Sequence, residues 1–297
     1  MRILLTGATG QLGKEILKSK PKDALIISPN RYQLDLSDYS SCKNMVLKNN
    51  PDWIINCGAY TSVDGAEKEI ELSSKINSLA PKAFTEIINK TNGNLLHLST
   101  DYVFDGEQNF PYDVHQEKNP ISNYGRSKAL GEELIEKNIK NIENATVLRT
   151  SWVISPRGKN FILNMLKLHS EKEYIKVVSD QIGSPTSAKE LSKVCWKIIE
   201  FKKKNKLPFI LHWADSGAAS WFDIAVAVGE IALELGIIKK KASVYPINTY
   251  EYPTAAQRPK FSLLNTSETS KYLNIKANHW RENLINILIE YKNTNKI

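Results

Sequence analysis

Short apolar runs alternate with amphipathic ones through the first half of the chain. Ile3–Thr6, Ala24–Ile27, Trp53–Cys57, Asn94–Leu98 and Thr146–Leu148 each read as a buried strand, with helical patterns between them. Strand, helix, strand at this spacing predicts a parallel sheet with right-handed crossovers and helices on both faces. The ligand crevice of such a sheet lies at the C-terminal ends of its strands. Beyond Val153 the alternation loosens into longer helical patterns at Phe161–Ser170, Lys189–Phe201 and Trp221–Leu235, parted by apolar segments at Ile175–Val178 and Phe209–Trp213. The expected class is α/β: a doubly wound parallel sheet over residues 1–152 and a smaller C-terminal lobe over residues 153–297, some segments of which return to the sheet. Gly183–Pro185 and Tyr252–Pro259 are turn-rich, and two readings stand for them, loops that close over a ligand or plain connectors.

A chain of 297 residues can bury a full core, and no internal period suggests a repeat array. The net charge of +8 suits an anionic partner, whether nucleic acid, a membrane surface or a small phosphorylated molecule. Much of the excess sits in Lys202, Lys203, Lys204 and Lys206 and in Lys239 to Lys241, beside expected helix ends where solvated lysines need no ligand. No nucleic-acid module accompanies them, so no nucleic-acid partner is expected. Cys42, Cys57 and Cys195 are far apart and read as reduced structural thiols. The N-terminal run lacks the zones of a signal peptide and every apolar stretch is broken by charge, so a cytoplasmic protein without membrane contact is expected.

The first strand leads into Thr6-Gly7-Ala8-Thr9-Gly10-Gln11-Leu12-Gly13, which opens the first helix. Glycines there let the backbone approach a pyrophosphate, whose charge is met by amide N–H groups and the helix N-terminus. A strand before and a helix after make this a dinucleotide turn, and the sheet Rossmann-type, with Gly7, Thr9, Gly10, Gln11, Leu12 and Gly13 against the cofactor. The acid that would pair with ribose hydroxyls after the second strand is missing. Arg31 or Ser28 could receive a 2′-phosphate instead, favouring NADPH over NADH. Asp35 and Leu36 are placed near the adenine, and Gly58, Ala59 and Tyr60, after the third strand, along the ribose and diphosphate.

Tyr124 and Lys128 stand four apart where a helical pattern begins, so they share one helix face. An ammonium close to a phenol favours the phenolate and brings an otherwise poor acid-base group toward neutral pH. Ser99 and Thr100 close the fourth strand, where a hydroxyl could bond the same substrate oxygen as the phenol. Glycine turn, Ser-Thr and Tyr-x-x-x-Lys in that order resemble the short-chain dehydrogenase/reductase superfamily, in its extended branch.

At Leu98-Ser99-Thr100-Asp101-Tyr102-Val103-Phe104 the resemblance narrows to the dTDP-4-dehydrorhamnose reductases, and further family-like strings follow in order from Ala59–Asp64 through Arg149–Val153, Asn160-Phe161 and Asp180–Thr186 to Ala256–Pro259. The resemblance implies reduction of dTDP-4-dehydro-L-rhamnose (dTDP-6-deoxy-L-lyxo-4-hexulose) to dTDP-L-rhamnose with NAD(P)H, and makes the C-terminal lobe substrate-binding. In that pattern Tyr124 is the proton donor, Lys128 holds the nicotinamide ribose and lowers the phenol pKa, and Thr100 orients the carbonyl oxygen. Asp101 contacts the sugar, Trp152 lies against the substrate, and Thr61 and Val63 line its pocket. Arg258 is the candidate for the diphosphate, since a guanidinium matches phosphate oxygens bidentately. Plainer readings stand beside these: Trp152 as a core aromatic, Arg258 as a surface residue before proline, and Asp101 as the cap of a turn.

Some members of that family hold magnesium through acids at a dimer contact, but the corresponding segment here reads Ser187-Ala188-Lys189-Glu190, and no metal is expected. A homodimer is compatible with the long helices. Two rival readings are a non-catalytic regulatory subunit on the same fold and a reductase or epimerase of another nucleotide-linked deoxysugar. Thr100, Tyr124 and Lys128 together favour an enzyme over the first.

Overall fold

The computed structural model describes residues 1–296. Its first half is a βα series: β1 (Arg2–Thr6), α1 (Gln11–Lys18), β2 (Leu25–Ile27), α2 (Tyr39–Asn49), β3 (Trp53–Asn56), α3 (Val63–Ala66), α4 (Ile70–Ser74), α5 (Ala80–Thr91), β4 (Asn94–Thr100), α6 (Asn123–Asn138) and β5 (Ala145–Thr150). Local chemistry sets several ends. The Asp38 carboxylate caps α2 by accepting from Ser40 N and Ser41 N, and α2 and α5 both stop at an asparagine in the left-handed region, Asn50 and Asn92.

The second half adds β6 (Val153–Ile154), α7 (Phe161–Glu171), β7 (Tyr174–Val178), β8 (Ile182–Gly183), β9 (Thr186–Ser187), α8 (Ala188–Lys202), β10 (Ile210–His212), β11 (Ala219–Ser220), α9 (Trp221–Glu234), β12 (Ser243–Ile247), α10 (Ser267–Leu273) and α11 (Trp280–Asn295). The main sheet has the order β10-β5-β4-β3-β1-β2, all parallel. Successive strand residues face opposite sides. Ile3, Leu5 and Ile55 pack with α8 residues Leu191, Cys195 and Ile198, while Leu4, Ile54 and Leu95 pack with Val46, Phe84, Ile87 and Ile88. Chain order reverses at β1, which opens a crevice beyond the C-termini of β1 and β3.

Both α8 and β10 come from the second half and complete the sheet, β10 pairing Ile210 to His212 with Val147 to Arg149. The remainder packs α7, α9 and α11 around Ile162, Met165, Val228, Ile231, Leu284 and Leu288, with paired short strands at its rim. No helix among the described residues is long and apolar enough to cross a membrane.

A column of buried polar groups runs through the sheet beneath α6. Arg149 of β5 donates to Glu132 of α6 through Nη2 at 2.7 Å and Nε at 3.0 Å, and donates Nη1 to His212 Nε2 at 3.2 Å. The Ser99 hydroxyl donates to the same Glu132 carboxylate. Burial pushes the Glu132 carboxyl up, but Arg149, Ser99 and the nearby Lys118 outweigh it and hold it below its usual range. His212 is pushed down to about 3 by burial and by Arg149, so the imidazole is neutral and accepts the guanidinium bond.

Arg149→Met leaves the buried Glu132 charge with only the Ser99 hydroxyl and the more distant Lys118 at 3.8 Å, and the expected loss in urea unfolding at pH 7 is about 3 kcal/mol. Because the folded Glu132 carboxyl titrates below its unfolded value, the stability that this pair contributes is present at neutral pH and drains as pH falls through the carboxylate range. In Arg149→Met that acid-side dependence should flatten, which the same unfolding series at lower pH checks.

Candidate active site

A groove of about 1020 Å³ opens at the strand ends. At its floor Gly7 adopts φ +68°, and its carbonyl accepts Gly10 N at 3.0 Å, which closes the turn into α1. A Cβ on Gly7 would lie 2.6 Å from Gly58 N, and one on Gly13 2.2 Å from Gly7 O, so both positions require glycine. The wall gathers Gly7, Thr9, Gly10, Gln11, Leu12 and Gly13 with Arg31, Asp35 and Leu36 from beyond β2. It adds Gly58, Ala59, Tyr60 and Thr61 from beyond β3, and Tyr124 and Lys128 from α6. Ser28 is not on this wall, whereas Pro29 and Asn30 are. Asp35 is occupied: its carboxylate accepts from Ser37 N and Oγ at 2.9 and 2.8 Å, bonds that hold its pKa down. Arg31 is exposed, and among the described residues it pairs with no carboxylate within ion-pair distance. A groove of this size with a glycine cradle at one end and basic Arg31, Arg157 and Lys159 on its wall fits a nicotinamide dinucleotide.

Tyr124 and Lys128 come from the first turns of α6, which Ser122 caps by accepting Gly125 N. The helix is located by a π turn at Lys75–Leu79. Asn77 of that turn donates to Ser127 Oγ at 2.9 Å and exchanges hydrogen bonds with the Tyr60 backbone, while Gly131 lies so close that a Cβ would sit 2.2 Å from Asn77 O. The strand-end loop and the tyrosine helix are thus fixed to one another through one asparagine, a residue that nothing in the sequence pattern singles out.

Thr100 lies beside the Tyr124 hydroxyl, and the Tyr102 ring meets the Tyr124 ring edge-on at 5.6 Å. Although Tyr124 keeps some exposed surface, burial dominates at the hydroxyl and raises its pKa to about 12; Thr100 pulls it down and Asp101 pushes it up. The expectation that Lys128 brings the phenol toward neutrality is therefore not met in the cofactor-free protein. The reason is geometric: the Lys128 amine is turned into the sheet, donating to Leu98 O at 2.7 Å and meeting His97 Nε2 at 3.1 Å. Burial lowers Lys128 to about 8 against the pull of Glu132 and Cys57. A phenol that stays protonated suits a proton donor.

Of the proposed substrate residues, only Thr61 lies on the groove wall; Thr100, Asp101, Val63, Trp152 and Arg258 lie outside it. Thr100 and Asp101 are nevertheless continuous with Tyr124, since the Thr100 hydroxyl donates to Asp101 Oδ1 at 3.0 Å. Asp101 is 1% exposed and its Oδ2 has no partner. Burial raises its pKa to about 6, with hydrogen bonds from Ser262 and Thr100 holding it down. Arg258 spans from Asp64, which takes Nη2 at 2.8 Å, to the Tyr102 hydroxyl, and its buried Nη1 is unpartnered. Asp64 also accepts Ala256 N, fastening the Tyr252–Pro259 segment to α3. Trp152 sits at φ +43°, stacked on Trp221 at 3.7 Å and pressed against Gly183. Sequence reasoning missed Trp221, Tyr102, Ser262 and His97; Tyr102 stands inside the string that carried the resemblance and was the one recoverable signal.

Gln11 joins the two halves. Its side chain donates to Val153 O at 3.2 Å and accepts from Asn160 Nδ2 at 2.8 Å and Ser155 Oγ at 3.0 Å. Near the segment suspected of a metal site, each carboxylate already meets a cation of the chain: Glu190 meets Lys193 at 2.7 Å, and Glu290 meets Lys18 at 2.9 Å and Arg157 at 3.0 Å. These residues do not fit a metal ion.

The family model described as RmlD substrate binding domain matches residues 1–293. A dTDP-4-dehydrorhamnose reductase of Aggregatibacter actinomycetemcomitans is 34% identical over 96% of this chain and 98% of its own length. The spore coat polysaccharide biosynthesis protein SpsK of Bacillus subtilis is 35% identical over 97% of each. Among solved structures, a dTDP-4-dehydrorhamnose reductase from Bacillus anthracis in complex with NADP superimposes with TM-score 0.88 at 34% identity, covering 97% of this chain and 99% of the other. A UDP-glucose 4-epimerase of Thermotoga maritima, 18% identical with TM-score 0.81, shares the fold.

Gly7→Ala should weaken nicotinamide-nucleotide binding in a fluorescence titration by about tenfold or more, because the new methyl runs into the Cys57–Gly58 peptide at a left-handed backbone position. Asp101 carries a raised carboxyl pKa, so its ionised form destabilises the fold above about pH 6 and not below its unfolded value of 3.8. Asp101→Asn should stabilise the cofactor-free protein at pH 8 by about 1–3 kcal/mol, a gain that vanishes on acidification; no gain at pH 8 in thermal unfolding would count against the buried charge.

Proposed function

Because this chain belongs to the RmlD substrate binding domain family, the family of the dTDP-4-dehydrorhamnose reductases, we propose that it reduces the 4-keto group of dTDP-4-dehydro-L-rhamnose to give dTDP-L-rhamnose. The observation that carries this reading is that Tyr124 and Lys128 share the wall of the strand-end groove, with Thr100 beside Tyr124 just outside it, next to a glycine turn that only a close-lying backbone or ligand requires.

The cofactor half comprises residues 1–152 with α8 and β10, and the substrate lobe most of residues 153–297. NADPH is held along Gly7 to Gly13, Gly58 to Tyr60 and the 124/128 pair, with Arg31 toward the 2′-phosphate; the NADP bound to the Bacillus anthracis relative supports that choice. When bound, the reduced nicotinamide supplies the hydride. Tyr124 supplies the proton to the developing alkoxide at C4, and Thr100 donates a hydrogen bond to the same oxygen. Asp101 and Arg258 each keep one unpartnered polar atom, Oδ2 and Nη1, which suits them to a sugar hydroxyl and to the diphosphate respectively. Trp152, stacked on Trp221, offers a flat apolar face to the sugar or base, and Thr61 and Val63 flank the opening.

The test mixes the protein with NADPH or NADH and enzymatically generated dTDP-4-dehydro-L-rhamnose and follows nicotinamide absorbance. Oxidation is expected with NADPH preferred, and Tyr124→Phe should cut kcat by about 10²–10⁴ while leaving NADPH affinity within about threefold. Arg31→Ala should erode the preference for NADPH over NADH by about tenfold or more. Binding of NADPH without turnover of this or any related keto sugar would sink the reductase and raise the regulatory-subunit reading.

A further inference from the structure

His97 lies in the middle of β4 and is 1% exposed, a position its neighbours Leu95 and Leu96 fill with hydrocarbon. An imidazole there must be hydrogen-bonded at both nitrogens or cost stability. Its Nε2 is 3.1 Å from Lys128 Nζ, and its Nδ1 is 2.8 Å from the side-chain amide of Asn56 at the end of β3. Asn56 in turn meets Thr6 Oγ1 at 2.6 Å, and that oxygen accepts Gly58 N at 3.0 Å. The chain of contacts runs from the lysine of α6 through three strands to the backbone that lines the groove, with no opening to solvent along it.

Counting protons gives this chain its meaning. An ammonium has three N–H bonds. Leu98 O takes one, and a second points to His97 Nε2, which can accept only if the neutral ring carries its proton on Nδ1. That tautomer goes with the Asn56 amide turned over from its placement in the structure, where Nδ2 faces His97 Nδ1 and Oδ1 accepts the Thr6 hydroxyl, so that the oxygen takes the Nδ1–H and the NH₂ meets Thr6 Oγ1. Burial and Lys128 both depress the His97 pKa, so the ring is neutral throughout the working range. We propose that His97 is a positioning residue for the reduction: it holds the Lys128 ammonium from the sheet side, so that two N–H bonds are committed to the interior and the third is left for the groove, whose wall Lys128 shares with Tyr124. The proposal rests on the reductase reading above.

The groups facing Lys128 are few. From its own helix comes Glu132, from the end of β3 Cys57, and from β4 His97; Arg149 of β5 and Lys118 before α6 share the Glu132 charge. Burial pushes the Cys57 thiol well up, so it too is neutral. Taking away the acceptor on His97 therefore disfavours the ammonium, and Lys128 loses its proton at lower pH than about 8.

The test compares His97→Leu, His97→Gln and Lys128→Met, alone and combined. His97→Leu should lower kcat about tenfold or more with the KM for the keto sugar within about threefold, and should move the alkaline limb of kcat down by about one pH unit. His97→Gln, whose amide oxygen can be presented to Nζ, should recover most of kcat. In the Lys128→Met background, adding His97→Leu should cost nothing further. Independently of turnover, the pH at which NADPH affinity weakens, read by fluorescence, should fall in His97→Leu. Unchanged kcat and pH limb, additive losses in the double variant, or equal losses in His97→Gln and His97→Leu tracking a drop in Tm would each overturn the proposal. If His97→Leu does not fold, His97→Asn against His97→Gln carries the comparison, since the shorter amide does not span to Nζ. A wild-type protein that oxidises no NADPH defeats the reductase reading alone, and the NADPH-affinity arm then still decides whether His97 governs Lys128.

Discussion

The ion pair between Glu132 and Arg149 is the constraint on which the site depends. Helix α6 carries Tyr124 and Lys128 in its first turns, and Glu132 one turn further on is the point at which it is locked to the sheet, through β5 by Arg149, through β4 by Ser99 and through Arg149 to His212 of β10. Apolar packing alone would let such a helix slide or rotate by fractions of an ångström at little cost, whereas a two-bond guanidinium–carboxylate contact has one geometry. Because β10 comes from the second half of the chain, both halves contribute to the network that holds this helix.

Around this pin, desolvation sets every protonation state in the site. It raises Tyr124 and Asp101 and lowers Lys128 and His97, so each group is driven toward its neutral form and the exceptions mark where the protein supplies compensation. Glu132 is compensated and stays ionised; Asp101 is not, and with Arg258 Nη1 it leaves polar atoms unpartnered beside the reacting groups. Such unpartnered atoms weaken the fold, and any group that hydrogen-bonds to them recovers that cost.

Much of the fold was legible because buried parallel strands and amphipathic helices write themselves as apolar runs and periods. Ile3–Thr6 and Trp53–Cys57 were found nearly to the residue, and Phe161–Ser170 and Lys189–Phe201 within one residue at each end. The two-residue strands β6, β8, β9 and β11 have no period to read, and β12, with a proline and exposed tyrosine, resembles a loop. At the site, the glycine turn and the Tyr124–Lys128 spacing were legible because both are local. Asn77, His97, Ser262 and Trp221 were not, since each earns its role from a partner far away in sequence: Asn77 from Ser127, His97 from Lys128, Ser262 from Asp101, Trp221 from Trp152. A histidine in the middle of a strand carries no periodic signature that separates it from a core residue. The sign of the Tyr124 shift was misjudged for a related reason, because helix spacing brings Lys128 to the right face and says nothing of which way its amine turns.

Trp152 and Trp221, both packed against the core formed by α7, α9 and α11, form a stack, 3.7 Å between centroids and 11° from parallel. Two indoles that close and that nearly parallel are placed for their transitions to couple, so the pair is expected to contribute its own circular dichroism signal. Because Trp152 is held there with a left-handed backbone, at a cost of about 1–3 kcal/mol, relaxing that strain would part the rings. The protein therefore carries an intrinsic optical gauge, read without any label, of whether the strained turn at Trp152 is held in place.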